Sequence, residues 1–308
     1  MPNWNDVLSE IGQYKQESIQ NANQSVDIVR RKYLKLLFEE TDRNIIAYYS
    51  GFLSKPNIEQ SQISDEDKNA FMMAIHKLDR TKGLDLIIHT EGGSIAATES
   101  IVDYLHRMFG KDIRAIVPQI AMSAGTMLAC SCKEILMAKH SNIGPIDPWL
   151  RGVPAQGVKG EFKRAFEEIK ADPAKLAVWQ PILSKYHPTF LSQCENAIEW
   201  AHSFVKKQLT EIMFSGKENA VLLATNAVNA LSNYNENKSH GRHIHFDEAY
   251  GIGLNVKLIE NEFGDKYQDL LLTVHHCFMH SLTNTPSYKM IENHNGVAFV
   301  KQLVTGQA

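Results

Sequence analysis

The chain has 308 residues, and its 32 lysines and arginines nearly balance its 35 aspartates and glutamates, which leaves a formal net charge of -3. Its 44% hydrophobic residues could form one large domain or two small ones. The near-neutral charge argues against a nucleic-acid partner, since such proteins usually have a basic excess.

The first predicted element is a helical arm over residues 1–43, where apolar residues recur at helical spacing among abundant Glu, Gln and Lys. Such an arm could pack on its own protomer or reach a neighbouring subunit. No apolar run reaches the roughly 18–20 residues that cross a bilayer, and residues 1–24 lack the apolar core of a signal peptide. We therefore expect a cytoplasmic protein with no transmembrane segment.

Short apolar runs then alternate with helical patterns. Strands are predicted over 44–50, 84–89, 113–118 and 134–138, and helices over 95–109 and 127–130. This alternation predicts parallel crossovers and an α/β core. Residues 160–233 are predicted to be mainly helical, followed by a polar loop over 233–241, a helix over 247–250 and a strand over 254–259. We divide the chain into an arm (1–43), a core domain (44–260) and a C-terminal extension (261–308).

Cysteines and histidines give no sign of a metal or another cofactor. The four cysteines, at 130, 132, 194 and 277, lack the spacing of a metal site, and free thiols are expected. His275, His276 and His280 could face one side of a helix, but no carboxylate completes a ligand set. A helix surface is the favoured interpretation for these three. His240, His243 and His245 are assigned to a loop near the rim of the active site.

Two strand-to-helix turns carry the chemistry. Gly92 and Gly93 let the backbone approach a bound group closely, because no Cβ intervenes. Ser123 stands among small residues at the second turn. If the two strands are neighbours, the amides of Gly93 and Ala124 could converge on one oxyanion beside the Ser123 hydroxyl, which is the minimum for acyl transfer.

The segments IIHTEGGSIAATESIVDYL and IVPQIAMSAGTMLACSCKEILMAKHSNIGPIDP resemble the paired motifs of the Clp-fold serine peptidases. The closest resemblance is to the serine dehydrogenase proteinase family, a relative of signal peptide peptidase A and ClpP. The segments GPIDP, KYHPTF and HGRHIHFDEAYGIGLNV also resemble later motifs of that family, so the resemblance spans about residues 44–260. It implies a ClpP/crotonase-like α/β fold of ββα units, with the N-terminal arm and a helical C-terminal region added.

The resemblance makes Ser123 the nucleophile, the Gly93 and Ala124 amides the oxyanion hole, and Gly92 the residue that shapes the turn. A ClpP-type histidine is expected just after GPI, but Ile146 and Asp147 stand there, so a Ser-His-Asp triad is not predicted.

Relatives of signal peptide peptidase A use a lysine base, which requires a pKa well below about 10.4. Lys175 lies at the separation from the serine that those relatives suggest, and Lys185 lies in KYHPTF. Either lysine could instead be a solvated surface residue. Asp147 is the third candidate, as an orienting acid or as a turn residue before Pro148.

These observations favour a serine endopeptidase that acts on polypeptides through an acyl-enzyme and needs no cofactor. The family resemblance further implies a homo-oligomer. Two alternatives stay open. One is an acyl-CoA enzyme of the crotonase type, which would use the same amides. The other is a non-catalytic assembly or partner-binding module on the same scaffold.

Overall fold

The computed structural model of the protein describes residues 4–17, 24–233 and 239–303. The helices are α1 (Trp4–Glu17), α2 (Gln24–Thr41), α3 (Glu66–Ile75), α4 (Ile95–Phe109), α5 (Ala124–Cys130), α6 (Ala155–Ala171), α7 (Leu176–Leu183), α8 (Phe190–Gln208), α9 (Ala220–Ser232), α10 (Phe246–Gly251), α11 (Ile259–Glu262) and α12 (Gly264–Asn284). The strands are β1 (Asn44–Ser50), β2 (Leu84–His89), β3 (Ile113–Val117), β4 (Ile120–Ala121), β5 (Glu134–Met137), β6 (Asn142–Ile143), β7 (Trp149–Leu150), β8 (Val153–Pro154), β9 (Val256–Leu258), β10 (Ser287–Asn293) and β11 (Ala298–Gln302).

A seven-stranded sheet in the order β11-β10-β1-β2-β3-β5-β9 forms the centre of the molecule. The five sheet neighbours β1, β2, β3, β5 and β9 run parallel to one another. β10 pairs antiparallel with β1, and β11 pairs antiparallel with β10 at the edge of the sheet. Every residue of β1 and β2 is buried, as expected of parallel strands that are covered on both faces. The predicted α/β fold is confirmed.

Two apolar layers cover the sheet, because successive side chains of a strand point to opposite faces. Ile46 and Tyr48 pack with the layer that includes α3, α4, α5, α8 and α9. Ile45 and Tyr49 pack with the opposite layer, which α2 and α12 supply.

The N-terminal arm packs on its own protomer. Val7 and Ile11 of α1 contact a small buried cluster with Val26, Val29 and Cys277, so α1 lies against α2 and α12. The part of the predicted arm that links α1 to α2, residues 18–23, lies outside the described residues.

The C-terminal residues take part in the central sheet, since β10 pairs with β1 in the register Tyr48↔Ile291. Lys289 of β10 is fully buried and donates to both carboxylate oxygens of Asp67 at 2.9 Å. Residues on the two sides of the predicted boundary at residue 260 therefore pack against each other. No helix within the described ranges is long and apolar enough to cross a membrane.

Candidate active site

The two predicted turns lie side by side at one edge of the sheet. β2 and β3 are parallel neighbours, so their carboxyl ends meet at the same edge. Beyond them, the Thr90 amide donates to Ile120 O at 3.2 Å and the Met122 amide donates to Thr90 O at 3.0 Å. This bridge fixes the diglycine turn against the turn that presents Ser123.

The diglycine turn has no room for side chains. Gly92 has φ +109°, and a Cβ there would lie 2.8 Å from Ser123 Cβ and 2.8 Å from Met122 O. Gly93 has φ +151°, and its Cβ would meet the Ile63 backbone at 2.4 Å. Both glycines are therefore required by close approach as well as by their backbone conformation.

The amide of Gly93 is left to face away from Ile63. The Ile63 amide donates to Gly92 O at 2.8 Å, and the Ser94 amide donates to Ile63 O at 2.9 Å. In such a parallel bridge the flanking residues make the bonds, so the N–H of Gly93 points to the opposite side. Gly93 also lines the cleft that opens beside the two turns.

Ser123 adopts a strained backbone conformation between β4 and α5. Its φ of +51° and ψ of -117° are unusual for a residue with a side chain. Its hydroxyl caps no amide of α5, although Ser123 O accepts from Met127 N at 3.0 Å. A strained serine on a sharp strand-to-helix turn, whose hydroxyl makes no hydrogen bond to the described residues, has the geometry of a nucleophile elbow.

A cleft of about 340 Å³ opens beside these turns. Its walls come from the segment before α3, from both turns with the helix starts that follow them, from residues 148–149 and from the segment before α10. They consist of Gln62, Glu91, Gly93, Ile95, Ser123, Met127, Pro148, Trp149 and His240.

An acid and a histidine pair at this cleft. Asp147 is 1% exposed, and its Oδ1 lies 2.9 Å from His240 Nδ1, while the His240 side chain is 23% exposed. The His240 ring also lies 5.4 Å from that of Trp149. A carboxylate beside Nδ1 favours the tautomer that carries the ring hydrogen there, with Nε2 as the hydrogen-bond acceptor.

The pair is anchored through the backbone of the segments around it. Ile143 and Ile244 exchange amide bonds of 3.0 and 2.8 Å, and the Ile146 amide donates to Leu231 O at 3.1 Å. These bonds bring the segment before α10 back to the GPIDP segment across the whole helical region α6–α9. Serine, acid and histidine thus follow in the chain order Ser123, Asp147, His240.

A profile of the family described as ClpP-like SDH-type serine proteinase matches residues 20–178, just over half of the chain. The chain belongs to this family. Two uncharacterized proteins of Methanocaldococcus jannaschii are similar to it. MJ0137 is 37% identical over 112 residues, 36% of this chain and 37% of that protein. MJ1495 is 35% identical over 107 residues, 35% of this chain and 36% of that protein. The matched region thus spans about a third of either relative, and no solved structure matches the chain.

In this member of the SDH-type family, neither candidate lysine lines the cleft. Lys175 lies 3.4 Å from Glu168 Oε2 with its side chain 47% exposed, and Lys185 is exposed in the connection between α7 and α8. Asp147, by contrast, lies beside the cleft as the partner of His240. A lysine base therefore stays a prediction, since neither lysine contacts Ser123 in the described structure.

Sequence reasoning placed His240 at the rim and assigned it no role. The available signals were Asp147 in the GPIDP segment, near where a ClpP-type histidine is expected, and a histidine at the start of the HGRH segment. Nothing in their spacing predicts that they meet.

The expectation that His275 and His280 lie on a helix surface is wrong. Both are buried, because α12 lies between the sheet and the N-terminal arm. No group of three metal-ligating side chains occurs in the described part of the chain. The four cysteines are free and buried.

Proposed function

We propose that the chain is a serine peptidase that hydrolyses polypeptides through an acyl-enzyme on Ser123. The observation that supports it best is the contact between the two turns. Gly92 packs directly on Ser123, and Gly93 and Ser123 line the same cleft. A tetrahedral intermediate at this point would have its oxyanion between the amides of Gly93 and Ala124.

The proposed reaction uses the Ser123 hydroxyl, a base and the pair of amides from Gly93 and Ala124. The Ser123 oxygen attacks the carbonyl carbon of the scissile bond, and its proton passes to the base. The electrons of the carbonyl double bond move to oxygen, where the two amides stabilise the charge. Collapse of this intermediate breaks the C–N bond, and the base returns the proton to the leaving amine. Water then attacks the carbonyl carbon of the ester in the same way, which regenerates the Ser123 hydroxyl and releases the carboxylic acid product.

We further infer that His240, oriented by Asp147, is the base. Both Ser123 and His240 line the cleft, and a buried carboxylate on Nδ1 stabilises the imidazolium that forms during attack. Lys175 and Lys185 are the alternatives from the sequence, and neither lines the cleft that holds Ser123.

Self-association is also part of the proposal, because the family resemblance implies it. Large apolar side chains stand exposed on α6 and α7, with Phe166 69% and Val178 62% accessible. If these side chains form one contiguous patch, they would supply a subunit interface. The predicted cytoplasmic location rests on the sequence alone.

The test combines hydrolysis of casein with labelling by a fluorophosphonate. Ser123→Ala should fold normally and lose both hydrolysis and labelling. His240→Gln and Asp147→Asn should lower kcat about a hundredfold to ten-thousandfold, whereas Lys175→Met and Lys185→Met should stay near wild type.

Casein cleavage by Ser123→Ala at the wild-type rate would refute the peptidase assignment. A wild-type protein that is never labelled would favour the non-catalytic scaffold, and coenzyme A binding in calorimetry would favour the acyl-CoA enzyme. Loss of activity in a lysine variant, with His240→Gln unaffected, would refute only the base.

A further inference from the structure

A carboxylate stands on the wall of the cleft next to the oxyanion hole. Glu91 is half-buried, lines the cleft, and comes directly before the diglycine turn. Its Oε1 accepts a hydrogen bond from the Ser61 hydroxyl. Ser61 is itself buried and held in place, since Ser61 O accepts from Ser50 Oγ at 2.7 Å. The side chain of Glu91 is therefore positioned by a fixed neighbour.

No cation within the described ranges forms an ion pair with Glu91. The cation whose field reaches it is Lys289, but that ammonium is fully buried and donates to Asp67 at 2.9 Å and to Gln62 O at 2.6 Å. Burial raises the pKa of Glu91, while the Ser61 hydrogen bond and the Lys289 charge oppose that rise. A partly desolvated carboxylate of this kind is stabilised when a positive group approaches it.

The rest of the cleft supplies no positive charge to meet it. Apart from Glu91, the lining comprises uncharged side chains and His240, whose Nδ1 is engaged by the Asp147 carboxylate. Glu91 is therefore the one acidic side chain in the lining of the cleft, among the residues that the structure describes.

The position of Glu91 gives this charge a catalytic consequence. Only Gly92 lies between Glu91 and Gly93, so their Cα atoms are at most about 7 Å apart. Because Glu91 and Gly93 also line the same cleft, a negative charge on Glu91 opposes the oxyanion that would form at the Gly93 amide. A substrate cation beside Glu91 would cancel that opposition, and a substrate carboxylate would add to it.

We propose that Glu91 makes the cleft select polypeptides that place a lysine or arginine side chain beside the scissile bond. This inference rests on the proposed peptidase function and adds its substrate class.

The experiment uses fluorogenic peptides blocked at both ends, in which one position near the scissile bond is scanned with lysine, norleucine or glutamate. At one position the wild-type enzyme should prefer lysine over norleucine by about tenfold in kcat/KM, the effect of one charge-assisted contact. Glutamate there should be worse than norleucine. The preference should shrink as salt is raised.

Two variants isolate the charge. Glu91→Gln keeps an acceptor for the Ser61 hydroxyl and should reduce the preference to about twofold or less, given that its amide is neutral. Glu59→Gln is the matched control, because Glu59 is an exposed carboxylate two residues before Ser61 and does not line the cleft. It should keep the wild-type preference.

Labelling of Ser123 by an uncharged fluorophosphonate separates this inference from the proposed function. Wild-type labelling with no charge preference, or with a preference that Glu91→Gln leaves intact, would overturn the role of Glu91 alone. An equal loss of activity on all peptides in Glu91→Gln would also overturn it, since that would indicate a structural or catalytic role. Failure to label the wild-type protein would overturn both.

Discussion

Gly92→Ala tests whether the contact between the two turns creates the site. The added Cβ would lie 2.8 Å from Ser123 Cβ, whereas carbon atoms normally approach to about 3.5–4.0 Å. The turns must then separate by roughly 0.7–1.2 Å, since that is the shortfall from normal contact. Such a shift takes the neighbouring Gly93 amide out of hydrogen-bond range of the oxyanion, and loss of one such donor costs about 10²–10³ in kcat. The backbone strain at φ +109° adds about 1–3 kcal/mol of destabilisation.

Gly110→Ala is the matched control. Gly110 also has a positive φ, +59°, but nothing lies within 4 Å of the position its Cβ would take. This variant should lose about 1–2 kcal/mol of stability and keep its kcat. The rates of peptide hydrolysis and the thermal unfolding of both variants test this prediction. Wild-type kcat in Gly92→Ala would refute the reasoning, and an equal loss of kcat in both variants would show that the effect is global.

Two further predictions concern strain and protonation. Ser123→Gly should be more stable than Ser123→Ala by about 1 kcal/mol, because glycine tolerates φ +51°; chemical denaturation that finds the alanine variant more stable would argue against strain at the nucleophile. Burial lowers the pKa of His89 from its ordinary 6.5 to about 4, so the unfolded chain binds the proton first. The stability that neutral His89 contributes to the fold is fully present above about pH 6.5. As the pH falls from there to about 4, the free energy of unfolding decreases by about 3 kcal/mol in total. His89→Phe should flatten this slope in denaturant titrations between pH 7 and 4, and an unchanged slope would contradict the assignment.

Much of the core could be predicted because its signals are local. The apolar runs at 44–50 and 84–89 and the amphipathic pattern at 95–109 match the bounds of β1, β2 and α4. Unbroken apolar runs fit strands that are covered on both faces. The two turns were predicted from glycine and small residues, whose backbone freedom is a property of the sequence itself.

The missed features depend on distant contacts. Asp147 and His240 meet only because the chain returns after the long helical region, and neither residue lies in a periodic pattern. Likewise, the order of the strands places β10 beside β1, which no local pattern predicts. The lysine candidates came from family spacing, which takes no account of how the α6–α8 region is placed.

The position of the oxyanion is the central claim, and a crystal structure of the Ser123 phosphonyl adduct tests it most directly. The phosphoryl oxygen mimics the oxyanion of the intermediate. It should lie within about 2.7–3.1 Å of both the Gly93 and Ala124 nitrogens, with the His240 ring turned toward the Ser123 oxygen. A phosphoryl oxygen that points into solvent, with neither amide in range, would contradict the account.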